Sequence, residues 1–267
     1  MYLTRGMRIT LRIVTGLVLA VIYLPLIVVM INSFNSDRAF GWPPAGFTLT
    51  WWSRAVHNAG ALAALRTSVL VGLLATVIAL VLGTLAAISL QRYRFFGRDA
   101  VSLLVILPIA LPGIVTGIAL NNAFRTILGV QLSLATLIVA HATFCIVVVF
   151  NNVIARLRRL GGDLEEASMD LGADSFTTFW RITLPLMRTA LLAGGLLAFA
   201  LSFDEIIVTR FTASQTTTTL PIWILDNLFR PNQAPIVNVV ATVLVIASII
   251  PIWIAQRLSG DTSGGRV

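Results

Sequence analysis

Asp163-Leu-Glu-Glu-Ala-Ser-Met-Asp-Leu-Gly172 is followed by nine residues and then by Ile182-Thr-Leu-Pro185. Between two membrane-length apolar runs, this is the longest stretch that must face water and still keeps a helical pattern. Gly161-Gly162 ends the preceding run, and Asp163, Glu165 and Glu166 then place carboxylates in a new first turn, where the helix dipole favours negative charge. Leu164, Ala167, Ser168 and Leu171 recur at i, i+3, i+4 and i+7, a narrow face of apolar and small residues on a helix of about two and a half turns. Gly172 is a candidate left-handed cap. Asp174 or Ser175 can cap a second short helix carrying Phe176, Phe179 and Trp180, and Pro185 begins the return to the next run. So short a helix is not stable alone in water. It needs a partner protein, or it lies on lipid headgroups with its aromatics as anchors.

The runs on either side set the fold class. Of the 267 residues, 57% are hydrophobic and 11% charged, and the mean hydropathy is +0.92. Soluble domains carry charge on about a quarter of their residues. Six apolar runs are long enough to cross about 30 Å of hydrocarbon: Ile13–Ile31, Ser68–Leu90, Val101–Phe124, Leu132–Ala155, Thr189–Thr209 and Ala234–Ala255. An all-α, six-span membrane protein in one domain over residues 1–267, with a loop at about 160–188, is the expectation. Arg5, Arg8 and Arg12 before the first run imitate a signal peptide, but no small-residue cleavage site follows and the run is long, so it reads as a retained span.

All 19 basic residues are arginine, and the net charge is +8. They cluster at the ends of apolar runs, which fits membrane anchoring and argues against a nucleic-acid surface. With the N-terminus inside, thirteen arginines fall on the cytoplasmic side (5, 8, 12, 92, 94, 98, 156, 158, 159, 181, 188, 257 and 266) against six outside. That bias puts both termini and the 163–185 stretch in the cytoplasm. Cys145, the single cysteine, lies inside an apolar run and excludes an internal disulfide.

Several residues interrupt the apolar pattern. Asp204 and Glu205 lie in the fifth run, where a charge is costly unless watered or paired; they read as cation attractors on a pathway or as a structural pair with an arginine such as Arg210. Ser202 can line the same surface. His141, in the fourth run, reads as a proton or ligand contact or, more ordinarily, as a hydrogen bond between helices. Pro108 and Pro112 bend the third run. Gly72, Gly83, Gly117, Gly194 and Gly195 suit close helix contacts. Outside, Ser33–Arg66 leads into a short helix with Trp51 and Trp52, members of an aromatic belt, with Trp52 also a candidate for the substrate pathway. Leu220-Pro-Ile-Trp-Ile-Leu225 is too short to span and reads as an amphipathic or re-entrant piece.

Glu166-Ala167-Ser168, three residues, Gly172, nine residues and Ile182-Thr-Leu184-Pro185 resemble the EAA loop of ABC importer permeases, with Ser168 in place of the second alanine. The chain is further similar to the spermidine/putrescine-type subfamily at Ile31-Asn-Ser-Phe-Asn35, Arg92-Tyr-Arg-Phe-Phe-Gly97, Leu111-Pro-Gly-Ile-Val-Thr-Gly-Ile118, Ala200-Leu-Ser-Phe-Asp-Glu205 and Leu220-Pro-Ile-Trp223. The resemblance implies the C-type permease of a heterodimer in a bacterial inner membrane, moving its solute by alternating access. It implies motor docking by this loop, with Glu165, Glu166, Ala167, Ser168, Leu171 and Gly172 as the candidate contacts, and a solute pathway past the acidic pair Asp204 and Glu205, to which Ser202 and Trp52 are added as candidates from their own placement. The implied partners are a second permease, a pair of ATP-binding subunits, an extracytoplasmic solute-binding protein and membrane lipid. No Walker A sequence, dinucleotide fingerprint or zinc-ligand cluster occurs, so no catalytic residue, metal or cofactor is expected here, and ATP with Mg belongs to the partner ATPase. The subfamily often carries an acid after Leu-Pro in the third span, where this chain has Gly113. That departure weakens the case for a di- or tri-cationic polyamine, so beside the main expectation, a small cationic solute of the polyamine or related-amine kind, stands an amino-acid-like or opine-type solute as the alternative. An ion-coupled transporter or channel using Asp204, Glu205 and His141, or a scaffold without transport, are the competing classes.

Overall fold

The computed structural model of the chain describes residues 4–38, 42–93 and 95–260, with side chains to residue 249. Arg94, Arg266 and the side chain of Arg257, all used in the orientation argument, lie outside that description. Among the described residues the secondary structure is helical, apart from an isolated bridge between Asn35 and Phe47. The helices are α1 (Arg5–Asn32), α2 (Thr50–Val56), α3 (Ala59–Arg92), α4 (Arg98–Ala110), α5 (Gly113–Asn122), α6 (Leu134–Leu160), α7 (Asp163–Asp170), α8 (Ser175–Thr178), α9 (Leu184–Asp204), α10 (Ile207–Thr212), α11 (Leu220–Asn227) and α12 (Ala234–Gly260). Four of them, α1, α3, α6 and α9 with the turn before it, are long and apolar enough to cross a membrane, and α4 with α5 makes a fifth if counted as one crossing.

Two of the apolar runs differ from the continuous helices expected. The third is broken: α4 and α5 meet at 108°. Pro108 is accommodated inside α4, whereas Leu111 is extended (φ −82°, ψ 144°) ahead of Pro112. A residue before proline is driven out of the helical region, and proline has no N–H to continue the ladder. The Pro112 carbonyl then accepts the amides of Val115 and Thr116 at 2.9 and 3.2 Å and starts α5. The fifth run also stops short. α9 ends at Asp204, Glu205 is extended (φ −73°, ψ 121°), and α10 follows. Asp204 therefore closes a 21-residue helix, about 30 Å along its axis, and does not sit in a helix interior.

The chain divides into two compact units, Met1–Leu62 with Ile224–Trp253, and Ala63–Trp223 with Ile254–Val267. In the first, Trp51 is buried and donates its indole N–H to the Asn35 carbonyl at 2.8 Å, while the Arg54 guanidinium lies 4.9 Å from its ring centre. Trp51 is thus a packing residue of this unit and not a surface anchor of an aromatic belt. Trp52 stacks on Phe34 with centroids 5.1 Å apart.

In the second unit α6 is the central helix, with His141, Cys145, Val149, Phe150 and Val153 essentially without solvent contact. Small residues let its neighbours approach. A Cβ at Gly83 of α3 would lie 2.8 Å from the Ile146 carbonyl oxygen and 3.1 Å from the Phe150 amide, and one at Gly194 of α9 would lie 3.3 Å from Asn152 Cβ. In lipid, where tails are as apolar as leucine, such close packing is what holds helices together. Leu220 of α11 donates its amide to Ser68 Oγ at 2.8 Å, which seats that apolar piece on α3.

Because backbone cannot retreat from an added side chain, Gly83→Val is expected to destabilise the protein by about 1–3 kcal/mol through overpacking. Thermal unfolding of the purified protein in detergent measures this; an unchanged midpoint would contradict the α3–α6 contact.

Candidate functional site

The 163–185 stretch folds as two short helices around a left-handed turn. Leu160 ends α6, and Gly161 takes φ +67°. Asp163, Glu165 and Glu166 occupy the first turn of α7. Gly172 has φ +88° with nothing within 4 Å of a Cβ placed there, so the backbone conformation and not space selects glycine. Asp174 caps α8 by accepting the Thr177 amide at 2.8 Å. Hydrogen bonds from Thr177, side chain first and backbone second, hold the Asp174 carboxyl below the usual carboxylate range. A depressed carboxylate contributes stability above its unfolded pKa and loses it as acid protonates the folded form, so this cap is intact at neutral pH.

The six residues expected to face a motor do not share one surface. Glu166 and Ala167 are exposed, and Leu171 is 89% exposed. Exposed Leu164, Phe176 and Trp180 add apolar area to the same loop. Glu165 turns inward: Arg92 at the end of α3 pairs with its carboxylate and donates to Thr183 Oγ1 at 3.0 Å, and Thr183 donates to Glu165 Oε1 at 2.5 Å. Thr183 is buried in the π-helical turn Phe179–Thr183 that leads into α9. Three elements thus meet at one charged, hydrogen-bonded point. Ser168 also turns inward and shares a hydrogen bond with Thr178 at 3.1 Å. Beneath the loop lies a cavity of about 450 Å³ bordered by Gln91, Leu157, Leu160, Leu186, Leu164 and Glu166.

The second candidate centre is where the two broken runs meet. A cavity of about 150 Å³ is lined by Pro108, Leu111, Gly113, Thr116, Phe144 and Glu205, among others. The Thr116 hydroxyl is buried there without a hydrogen-bond partner among the described residues. α5 and α10 pack closely: a Cβ at Gly117 would fall 2.7 Å from the Phe211 ring, and Asn121 donates to the Phe211 carbonyl at 2.5 Å. At Gly113 a Cβ would stand 3.7 Å from Ile207, an ordinary van der Waals contact.

Glu205 lines this cavity, and its carboxylate accepts the Val208 amide at 2.9 Å, capping α10. Asp204 is exposed at the end of α9. Ser202 is buried, 2.7 Å from His141 Nδ1, and does not line the cavity as an open hydroxyl. His141 Nε2 lies 2.8 Å from Thr209 Oγ1. Trp52 belongs to the other unit, where its buried indole N–H has no partner among the described residues. The same residues hold no group of three or more metal-ligating side chains. At this cavity a single carboxylate, that of Glu205, stands among apolar side chains and the Thr116 hydroxyl. Sequence reading did not single out Arg92, Thr183, Thr116 or Thr209; only the family stretch beginning at Arg92 hinted at the first.

Residues 79–262 match the family described as binding-protein-dependent transport system inner membrane component. Over 246 residues, 92% of each chain, the sequence is 35% identical to the spermidine/putrescine transport system permease protein PotC of Escherichia coli (strain K12). Over 253 residues, 92% of this chain and 89% of the other, it is 32% identical to that organism's putrescine transport system permease protein PotI. Among solved structures, a chain of a bacterial ABC transporter involved in import of the acidic polysaccharide alginate superposes with a TM-score of 0.71 at 16% identity, covering 98% of this chain and 99% of that one. At that identity the likeness concerns the fold.

The Arg92–Glu165–Thr183 junction has side chains 29% and 21% exposed for the ion pair, so it is neither fully screened nor fully buried. A double-mutant cycle with Arg92→Glu and Glu165→Arg is expected to give a coupling energy of roughly 0.5–3 kcal/mol, with the swapped pair more stable than either single variant. Additive effects would remove the junction as an interaction.

Proposed function

The chain belongs to the binding-protein-dependent transport system inner membrane component family, and from that premise we propose that it is the C-type permease of an ATP-driven importer carrying a small cation of the polyamine class. The full-length likeness to the spermidine/putrescine permease PotC, 35% over 92% of both chains, carries the reading. In this proposal the chain crosses the membrane six times, with α4 and α5 as one broken crossing and α12 as the last, and both termini are cytoplasmic. It works beside a second permease, two ATP-binding subunits that hold ATP and Mg, and an extracytoplasmic solute-binding protein.

Two features of the geometry support distinct parts of this reading. The exposed Leu164, Glu166, Ala167 and Leu171 give the loop an unsatisfied, partly apolar surface with acids in its first turn, suited to a groove on the ATP-binding subunit. Glu165 and Ser168 act instead within the loop, holding it to α3, α8 and the turn into α9. At the other end, Glu205 brings one carboxylate to a small apolar cavity between broken helices, where a charge inside a membrane costs at least ~2.5 kcal/mol unless watered or paired. A passing ammonium group offsets that cost. Gly113 lines the same cavity without a side chain, which favours an amine of low charge, or an amino-acid-like or opine-type solute, as the second reading.

Reconstituting the chain with an ATP-binding subunit, a second permease and a solute-binding protein from its own organism, and following labelled putrescine, tests the proposal. Ligand-stimulated ATP hydrolysis with uptake is expected; uptake driven by an ion gradient without the ATPase would overturn it. Glu166→Lys and Gly172→Trp should each leave ligand capture intact and abolish uptake, with the ATPase lost from pull-downs. Gly113→Asp should raise the preference for spermidine over putrescine roughly tenfold, about 1.4 kcal/mol.

A further inference from the structure

We infer that His141 is a positioning residue for solute passage, fixing Glu205 at the helix break from the central helix α6; this rests on the reading of Glu205 given above. His141 is fully buried, and both ring nitrogens are used: Nδ1 is 2.7 Å from Ser202 Oγ on α9, and Nε2 is 2.8 Å from Thr209 Oγ1 on α10. The proton arrangement follows from counting. Thr209 has one hydroxyl hydrogen, and it goes to the Glu205 carbonyl at 2.8 Å. Thr209 Oγ1 must therefore accept from His141 Nε2–H. In the neutral ring the other nitrogen is then an acceptor, so the Ser202 hydroxyl donates to Nδ1. The result is one directed chain, Ser202 to His141 to Thr209 to the Glu205 backbone.

That chain spans the interruption from both sides. Ser202 is in the last turn of α9, Thr209 is in α10, and the extended residue Glu205 lies between them. The Glu205 carboxylate in turn accepts the Val208 amide of α10 at 2.9 Å. α10 has a further tie to α6, from Thr136 Oγ1 to the Thr212 carbonyl at 3.0 Å, but that lies beyond the break. The imidazole, braced by Phe144 at 5.4 Å between ring centroids, joins the last turn of α9 and the start of α10 to the same core helix on either side of the break. Ser202 consequently acts through His141, and its hydroxyl is not available to touch the solute.

The test uses the reconstituted complex in proteoliposomes, with labelled putrescine uptake and ligand-stimulated ATP hydrolysis measured on the same preparations. For His141→Ala, putrescine carried per ATP is expected to fall roughly tenfold to a hundredfold, the scale on which a misplacement of about 1 Å acts, with complex yield and hydrolysis unchanged. His141→Gln, which retains one donor and one acceptor, should recover most of the ratio. Thr209→Val keeps the volume and removes the link to Glu205; it should lower the ratio as well, and it carries the test if the alanine variant does not assemble. A proportional loss of uptake and hydrolysis in His141→Ala, a glutamine variant no better than alanine, or a Thr209→Val variant with an unaltered ratio would overturn the inference. Glu205→Gln is measured alongside. If it keeps the unaltered ratio, the reading of Glu205 as a solute contact falls; if it lowers the ratio while His141→Ala and Thr209→Val do not, only the positioning role falls.

Discussion

A helix interrupted in an apolar environment leaves backbone donors and acceptors that neither lipid nor a continuing turn can satisfy, and two such interruptions among the described residues line one cavity. Each is closed by its own means. At Leu111–Pro112 the imino acid removes one donor, and its carbonyl starts the next helix by accepting two amides. At Glu205 the main-chain carbonyl is taken by Thr209 and the carboxylate caps α10. Irregular backbone at membrane depth is tolerated only where protein buries it or where it borders a cavity, and both conditions meet here. The cavity, its carboxylate and the imidazole behind them are consequences of closing those breaks.

The opposite end of the second unit is governed by charge. Glu165 looks like part of an acidic first turn presented to a partner, yet its carboxylate closes a three-way junction with Arg92 and Thr183. Such a junction is costly to break from one side, because the remaining charge loses its partner in a half-buried site. It leaves Glu166 and the apolar residues of α7 as the surface offered outward, and it fastens that surface to α3 and to the turn into α9. A displacement imposed on the loop therefore reaches two long helices through side-chain contacts as well as through the chain.

Between the two ends, α6 is the common reference. Its small neighbours Gly83 and Gly194 bring α3 and α9 against it, and its buried imidazole ties the α9–α10 break to it.

The sequence by itself determined the helical class, the short helix from Asp163 with its glycine stop at Gly172, a cap at Asp174 or Ser175 and the presence of an acidic pair in an apolar run. Each of these follows from local chemistry: hydrophobic length, dipole preference and backbone freedom. What it left open depends on which residues meet across long separations. That the third run breaks by 108° instead of bending, that Glu205 leaves the helix, that Ser202 serves His141 and that Glu165 turns toward Arg92 were decided by tertiary structure. Periodicity states which residues share a face of one helix; only packing states which face meets a hydrogen-bond partner 61 or 73 positions away.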